Sequence, residues 1–441
     1  MKRLVQSAVF LSAAFGLVQV RAAEWHAYAE TRDGVSGPQQ VVNAINAAAA
    51  GDVIVVHPGT YDFAGVSMAS GAGGVVDHLS VGKSLEIRGE TTDHWADEVV
   101  FTGPGRAINL TADVAFKVSG ITFQNFNGGT DKGGAVVFNS GWVAGNAAHG
   151  DGTCLSNCVV RGCRAKIAGG VVNGFAVDCL FESNTASGYT GAAQGTRVVG
   201  CTFRDNSTSG NGCYYGALEN PRGAYDCLFE GNKTYYYSAA LSVNNNAAGV
   251  VVSNCTFRGN VTGSNIGTVG IENATTYAPT FIDCTFEANA AQEGSAIGTR
   301  RSHATVPVIG CRFLCNTNVS TYVVRGATLF SDPQDDKKVY TWKSRYQVID
   351  CVFERNYATW VGGVASAGAF TNCTFVANLA DAQNRLAGGS FYVGDHDVLD
   401  LKGCVFRDHS YNYYNWGGAI GVASNGTCHV DDCLFATNRH T

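Results

Sequence analysis

Aromatic side chains able to meet a sugar ring recur along this chain in one local context. Tyr189, Tyr214, Tyr215, Tyr236, Tyr237, Trp360, Tyr413, Tyr414 and Trp416 stand just upstream of glycine-rich or small-residue corners. On a wet surface, Tyr and Trp offer an apolar face for stacking and a polar edge for hydrogen bonding, which together suit a carbohydrate. The same stripe could instead seal one corner of a fold, so its chemistry turns on exposure. Acidic clusters at Asp332/Asp335/Asp336, Asp395/Asp397/Asp400 and Asp431/Asp432 carry oxygens of the kind calcium takes. A calcium site needs several such oxygens converging, and solvated loop charge is the plainer reading; no metal site is assigned. The aromatic and basic stretch 337–346 is a further candidate binding loop.

The elements that must carry these residues show as a repeat. A hexapeptide C-x-F-x-x-N begins at Cys179, Cys201, Cys227, Cys255, Cys284, Cys311, Cys351, Cys373 and Cys433. Cys404 opens a copy in which His409 takes the Asn place, and Ile121 and Cys158 open degenerate early copies. Cys and Phe two apart in an extended segment share a face, so each hexapeptide predicts a short strand with an apolar inner side. The Asn falls where the chain must turn, tolerates left-handed backbone and can ladder with its counterparts. Gly pairs at Gly133-Gly134, Gly169-Gly170, Gly362-Gly363, Gly388-Gly389 and Gly417-Gly418 precede small apolar residues that begin another strand.

Such a unit cannot bury its inner face alone, whereas stacked units close a continuous core. The pattern therefore predicts an all-β chain, a single-stranded parallel β-helix solenoid. Residues 38–50, with Val41, Ile45 and Ala48 at helical spacing and Gly51 as a stop, predict a short helix capping its first turn. Strands are expected at Asp52-Val53-Ile54-Val55-Val56, at Gly59-Thr60-Tyr61, and around Leu79, Leu85 and Val99.

Composition sets limits. Of 441 residues, 45% are apolar and 15% charged, and the net charge of -6 argues against nucleic acid as a partner. Lys2 and Arg3 precede an apolar run from Ala8 to Val18 that ends in Val20-Arg21-Ala22, the pattern of a secretory leader over residues 1–22. No stretch reaches the length of a transmembrane helix. The solenoid is expected in two parts, 23–110 as cap and first turns and 111–441 as repeated turns. No cap follows Asn438, so the last turn is expected to be covered by another chain or by residues beyond Thr441.

The run from Gly51-Asp52 through Pro58-Gly59-Thr60-Tyr61, with Lys83 to Gly89 and Gly120-Ile121-Thr122-Phe123 after it, resembles the opening of pectate-lyase-like β-helix proteins. The Gly-Gly-Ala-[Ile/Val] and Phe-x-x-Asn repeats resemble those of polymorphic outer-membrane proteins. The resemblance implies a right-handed helix, and a secreted or cell-surface, outer-membrane setting. Both motifs consist of structural residues and speak to fold before activity. The active-site blocks of pectate lyases and the Asn-Thr-Asp, Asp-Asp, Gly-His-Gly series of polygalacturonases are missing; Asp335-Asp336 and the His149 to Gly152 run are isolated matches.

The 16 cysteines form no zinc pattern. Stacked side chains in adjacent turns hold their Cβ atoms wider apart than a disulfide prefers, so the motif cysteines are expected to be buried thiols. The off-register Cys154, Cys163, Cys213, Cys315 and Cys428 are the better bridge candidates, with Cys154/Cys158 and Cys428/Cys433 the closest pairs. The leading expectation is a secreted or surface-exposed β-helix that binds polysaccharide or a cell-surface partner through the aromatic stripe, with no cofactor and no chemistry of its own. Its alternatives are a polysaccharide lyase acting on an acidic glycan, with Ca2+ as the conceivable cofactor, and an inert spacer or passenger.

Overall fold

The computed structural model describes residues 22–70, 74–95, 97–138, 154–209, 214–244, 248–263, 266–302, 304–318, 328–331, 346–359, 362–380, 388–395, 397–411 and 418–440. Residues 1–21 of the expected leader, Asp332/Asp335/Asp336, residues 337–345 of the candidate binding loop, the His149 to Gly152 run, Cys213, Trp360, Tyr413, Tyr414 and Trp416 lie outside these residues.

One middle turn shows how the repeat works. The strand Val251–Ser253 ends at Asn254, whose φ of 51° reverses the chain into Cys255. The motif strand Thr256–Arg258 follows, and Gly259, at φ 62°, turns the chain again into Asn260 and the short strand Val261–Thr262. The chain then crosses to Val269–Glu272 and returns to the next turn at Thr280–Ile282. Stacking like elements gives sheets of 15, 14, 11 and 9 strands. All their pairs are parallel except that of Ala69–Ser70 with Val76–Val81. The architecture is the expected right-handed parallel β-helix.

The left-handed residue is not the motif Asn but the one before it: Ser183, Asp205, Gly231, Gly259, Ala288, Arg355 and Ala377 all have φ between 49° and 65°. A second left-handed residue precedes each motif Cys, and there the sequence always places Asn, Asp or Gly, as at Asp178, Gly200, Asp226 and Asn254. Those residue types meet the steric demand of positive φ. The motif Asn turns inward instead. From Asn184 to Asn378 the column is fully buried, each side-chain amide donating to the next Asn Oδ1, at 3.0 Å in every step. Phe126, Cys163 and His409 occupy the same column. Cys163 is thus in register and buried, not an off-register bridge candidate; its amide donates to Asn184 Oδ1 at 3.0 Å.

The phenylalanines stack from Phe181 to Phe435 with centroids 4.5–5.2 Å apart and planes within 14°. The motif cysteines form a neighbouring column of small buried hydrophobes. Every cysteine among the described residues is a free thiol, including Cys154/Cys158 and Cys428/Cys433. Burial pushes the Cys163 thiol up to about 12, which makes it inert as a nucleophile. The corner glycines answer a close approach: a Cβ on Gly216 would lie 2.0 Å from the Ala239 carbonyl oxygen of the next turn.

The helix α1 (Gly37–Ala47) buries Val41, Val42, Ala44 and Ile45 against the strands Glu24–Ala27 and Val53–Val56. It ends three residues earlier than the expected Ala50. The Asp52 carboxylate accepts from the amides of Ala49 and Ala23, each at 2.8 Å, and from Trp25 Nε1 at 3.0 Å, pulling the chain out of the helix into the next strand. Tyr346, read as part of a binding loop, belongs to the core: it is 1% exposed, and its hydroxyl donates to the Phe330 carbonyl at 2.8 Å.

Candidate functional site

Alternation in the 11-stranded sheet sends Leu218, Leu241, Val243, Val269 and Ile271 into the core and their neighbours to the other face. That outer face therefore carries Gln194, Glu219, Ser242, Asn244, Glu272 and Arg300 on successive turns. An outer row of this kind is ordinarily solvated. Here the segments upstream of the glycine corners fold across it, leaving Glu219 4% and Glu272 7% exposed. The two facts together make a buried polar floor under an aromatic cover.

Five of the nine aromatics that the sequence singles out lie among the described residues, and four of them, Tyr189, Tyr214, Tyr236 and Tyr237, build the cover. Tyr189 packs on Tyr214 with centroids 5.3 Å apart, and Tyr214 stacks on Tyr237 at 5.1 Å. Backbone bonds set this register: the Tyr215 amide donates to the Tyr189 carbonyl at 2.9 Å, and the Tyr237 amide to the Tyr214 carbonyl at 3.1 Å. Tyr236 is half-buried beside Tyr235, which packs edge-on against it and is 56% exposed. Tyr235 is not among the aromatics singled out in the sequence, although the run Tyr235-Tyr236-Tyr237 marks it.

Tyr215 departs from the expected surface role. It is 6% exposed and turned to the floor. Its hydroxyl donates to Glu272 Oε1 at 3.1 Å and accepts from Asn244 Nδ2 at 3.0 Å. The same Asn244 amide donates to Glu219 Oε1 at 3.2 Å, while Glu219 Oε2 accepts from Thr190 Oγ1 at 2.7 Å and Gln194 Nε2 at 2.8 Å. Tyrosine and asparagine thereby link two carboxyls. Burial raises both above the usual carboxyl range, against the hydrogen bonds that favour their ionised forms. Arg300 closes the row, its guanidinium 4.9 Å from the Tyr237 ring and donating to the Tyr237 hydroxyl.

Other candidates fall away on geometry. Asp395, Asp397 and Asp400 bond separately, to the Asn425 amide, the Gly394 amide and His429. Asp431 lies 4.0 Å from Lys402. Among the described residues, no group of three or more His, Cys, Asp or Glu is placed to hold a metal ion. Ser390, His409 and Asn438 form a nucleophile, base and orienter in outline, with 2.6 Å and 2.7 Å contacts. Ser390 and His409 are fully buried, so no substrate reaches them.

No protein-family model matches the chain, and no curated protein matches it. Among solved structures, a mannuronic acid specific polysaccharide family 6 lyase from human gut microbiota is similar at 8% identity, over 93% of this chain and 87% of the lyase, with a TM-score of 0.36. The catalytic unit of an alpha-1,3-glucanase from Streptomyces thermodiastaticus is similar at 15% identity, over 94% and 69% of the two chains, with a TM-score of 0.41. A tailspike protein of an E. coli bacteriophage, in complex with a pentasaccharide, is similar at 12% identity, over 93% and 78%, with a TM-score of 0.39.

Proposed function

We propose that this β-helix binds polysaccharide along the tyrosine ladder. The observation that carries the reading is the arrangement of Tyr189, Tyr214 and Tyr237, one per turn, with Tyr189 and Tyr235 exposed beside them. Stacking between neighbours consumes the inner ring faces. What the ladder offers is a row of phenol edges, with the outer face of Tyr189 and the ring of Tyr235 free for apolar contact. A polymer laid along the solenoid axis meets a similar contact at each turn, which favours a repeating ligand over a compact one. Arg300 adds a cation at one end of the row, suited to an acidic sugar. The test is retention of the full chain on immobilised acidic and neutral polysaccharides. Retention lost in Tyr235→Ala and Tyr189→Ala supports the reading, and retention unchanged in both overturns it.

A second reading rests on Glu219 and Glu272, two carboxyls that Tyr215 and Asn244 link and whose pKa values burial raises. Both carboxyls lie under the aromatic cover, so this pair would serve carbohydrate cleavage only where the covering segments move off the floor. New reducing ends, or ultraviolet absorbance from an unsaturated sugar, in a mixture of the chain with a retained glycan would favour it. Their absence would leave binding alone.

A further inference from the structure

Several turns before the tyrosine ladder, the first three turns of the 15-stranded sheet bring two imidazoles together. In the parallel register Ala27 and Val56 point into the core, and the buried Gly89 pairs with Val56. The residues after them, Tyr28, His57 and Glu90, consequently share one outward row, and His26 and Arg88 stand one step back on the same face. His57 Nδ1 lies 2.8 Å from Glu90 Oε2, and His57 Nε2 lies 3.1 Å from His26 Nδ1.

The carboxylate fixes the tautomer. An ionised Glu90 only accepts, so His57 carries its proton on Nδ1 and turns an Nε2 lone pair toward His26. His57 is also held in place: its ring stacks on Tyr28 at 4.0 Å with planes 4° apart, and the Arg32 guanidinium lies 3.2 Å from the Tyr28 ring centre. Arg32 is in turn tied to Glu30. A carboxylate–histidine pair with a pre-oriented lone pair is the usual outer support of a metal-ligating imidazole. Two such nitrogens bonded to one tetrahedral ion at about 2.0–2.1 Å stand roughly 3.3 Å apart. The observed 3.1 Å needs little movement to reach that.

The surrounding charge favours a cation. Glu24, Glu30, Glu86 and Glu90 border this face against Arg32 and Arg88, and Arg88 is paired to Glu24 at 3.0 Å and Glu86 at 3.6 Å. We propose that His26 and His57 bind one divalent transition-metal ion of the copper, nickel and zinc class, with Glu90 as outer support and solvent completing the coordination. When the ion binds, the proton leaves His26 Nδ1, and the neutral ring then carries its one proton on Nε2. Imidazole donors select these borderline ions over calcium or magnesium. The site is independent of the glycan reading.

The test uses the untagged full chain titrated with Cu2+ and Zn2+, read by calorimetry and by electron paramagnetic resonance of the copper form. One equivalent of ion with a two-nitrogen copper spectrum is expected. His26→Ala and His57→Gln should each weaken binding at least tenfold, and Glu90→Gln by about 10- to 100-fold. His429→Ala, on a distant turn, should change nothing. His26 is exposed at the edge of the sheet, so its variant folds and its result stands alone. No uptake at millimolar ion, or uptake that survives His26→Ala, overturns the proposal.

Discussion

The side-chain amide of Asn260 donates to Asn289 Oδ1 at 3.0 Å and to the Phe229 carbonyl at 2.9 Å, while its own Oδ1 accepts from the backbone and side-chain amides of Asn232, each at 3.0 Å. One buried side chain thus satisfies polar groups on the turns either side of it. Asn260→Ala would orphan the Asn232 backbone amide where water does not reach and leave the Phe229 carbonyl with its strand partner alone. An orphaned buried group costs about 1–3 kcal/mol, so a loss of that size is expected in denaturant unfolding. Asn260→Asp keeps the acceptor but removes the donor and buries a charge, and should be no better. A loss below 1 kcal/mol for the Ala variant, a figure typical of a single exposed hydrogen bond, would show that the column is not a stabilising element.

The neighbouring strand separates inside from outside within two residues. Phe257 is fully buried between Phe229 and Phe286, at 4.8 and 4.7 Å. Phe257→Ala should cost about 3–5 kcal/mol. Arg258 faces solvent and pairs with Glu230 at 2.9 Å, so Arg258→Ala should cost about 0–1 kcal/mol. Equal losses at the two positions would contradict the alternation.

His409 is the described member of its column whose charge can change near neutral pH, and burial lowers its pKa below the usual 6.5. The sign follows from linkage: the unfolded chain takes up the proton first, so the contribution is fully present above the unfolded value. It is lost as pH falls below about 6.5 and through the folded pKa. His409→Asn restores the repeat residue and removes that group. Melting temperatures between neutral pH and pH 5 should fall more steeply for the native chain than for the variant. Parallel slopes would count against a neutral buried imidazole.

Much of this was legible in the residues. The two-residue step from Cys to Phe gave the strand face, because strand alternation is local. The helix over residues 38–50 was legible for the same reason, apart from its end, which Asp52 sets through contacts with Ala23 and Trp25. The left-handed positions were written as Asn, Asp or Gly before each motif Cys, but the reading attached left-handedness to the inward Asn. The floor of the site was not legible. Glu219 and Glu272 sit at positions that alternation assigns to solvent, and only the segments folded across them make them buried. His26, His57 and Glu90 are separated by 31 and 33 residues, and nothing short of strand register brings them together.

The tyrosines divide into two roles that mutation can separate. Tyr235 is 56% and Tyr189 41% exposed, so Tyr235→Ala and Tyr189→Ala remove little buried area and should leave the melting temperature nearly unchanged. If these rings contact glycan, each change should weaken retention by on the order of 1–3 kcal/mol, the scale of a ring-stacking contact in other polymer-binding grooves. Tyr215 behaves in the opposite way. Tyr215→Phe leaves the Asn244 amide and the Glu272 carboxyl without the hydroxyl that joins them, and should cost about 1–3 kcal/mol of stability. Because the ring itself stays, the backbone register that seats Tyr189 against Tyr214 is kept, and glycan retention should persist below the melting point. Thermal melts run beside a retention assay on the three variants make the comparison. Retention lost in Tyr215→Phe but kept in Tyr235→Ala and Tyr189→Ala would move the contact surface from the exposed rings to the buried floor.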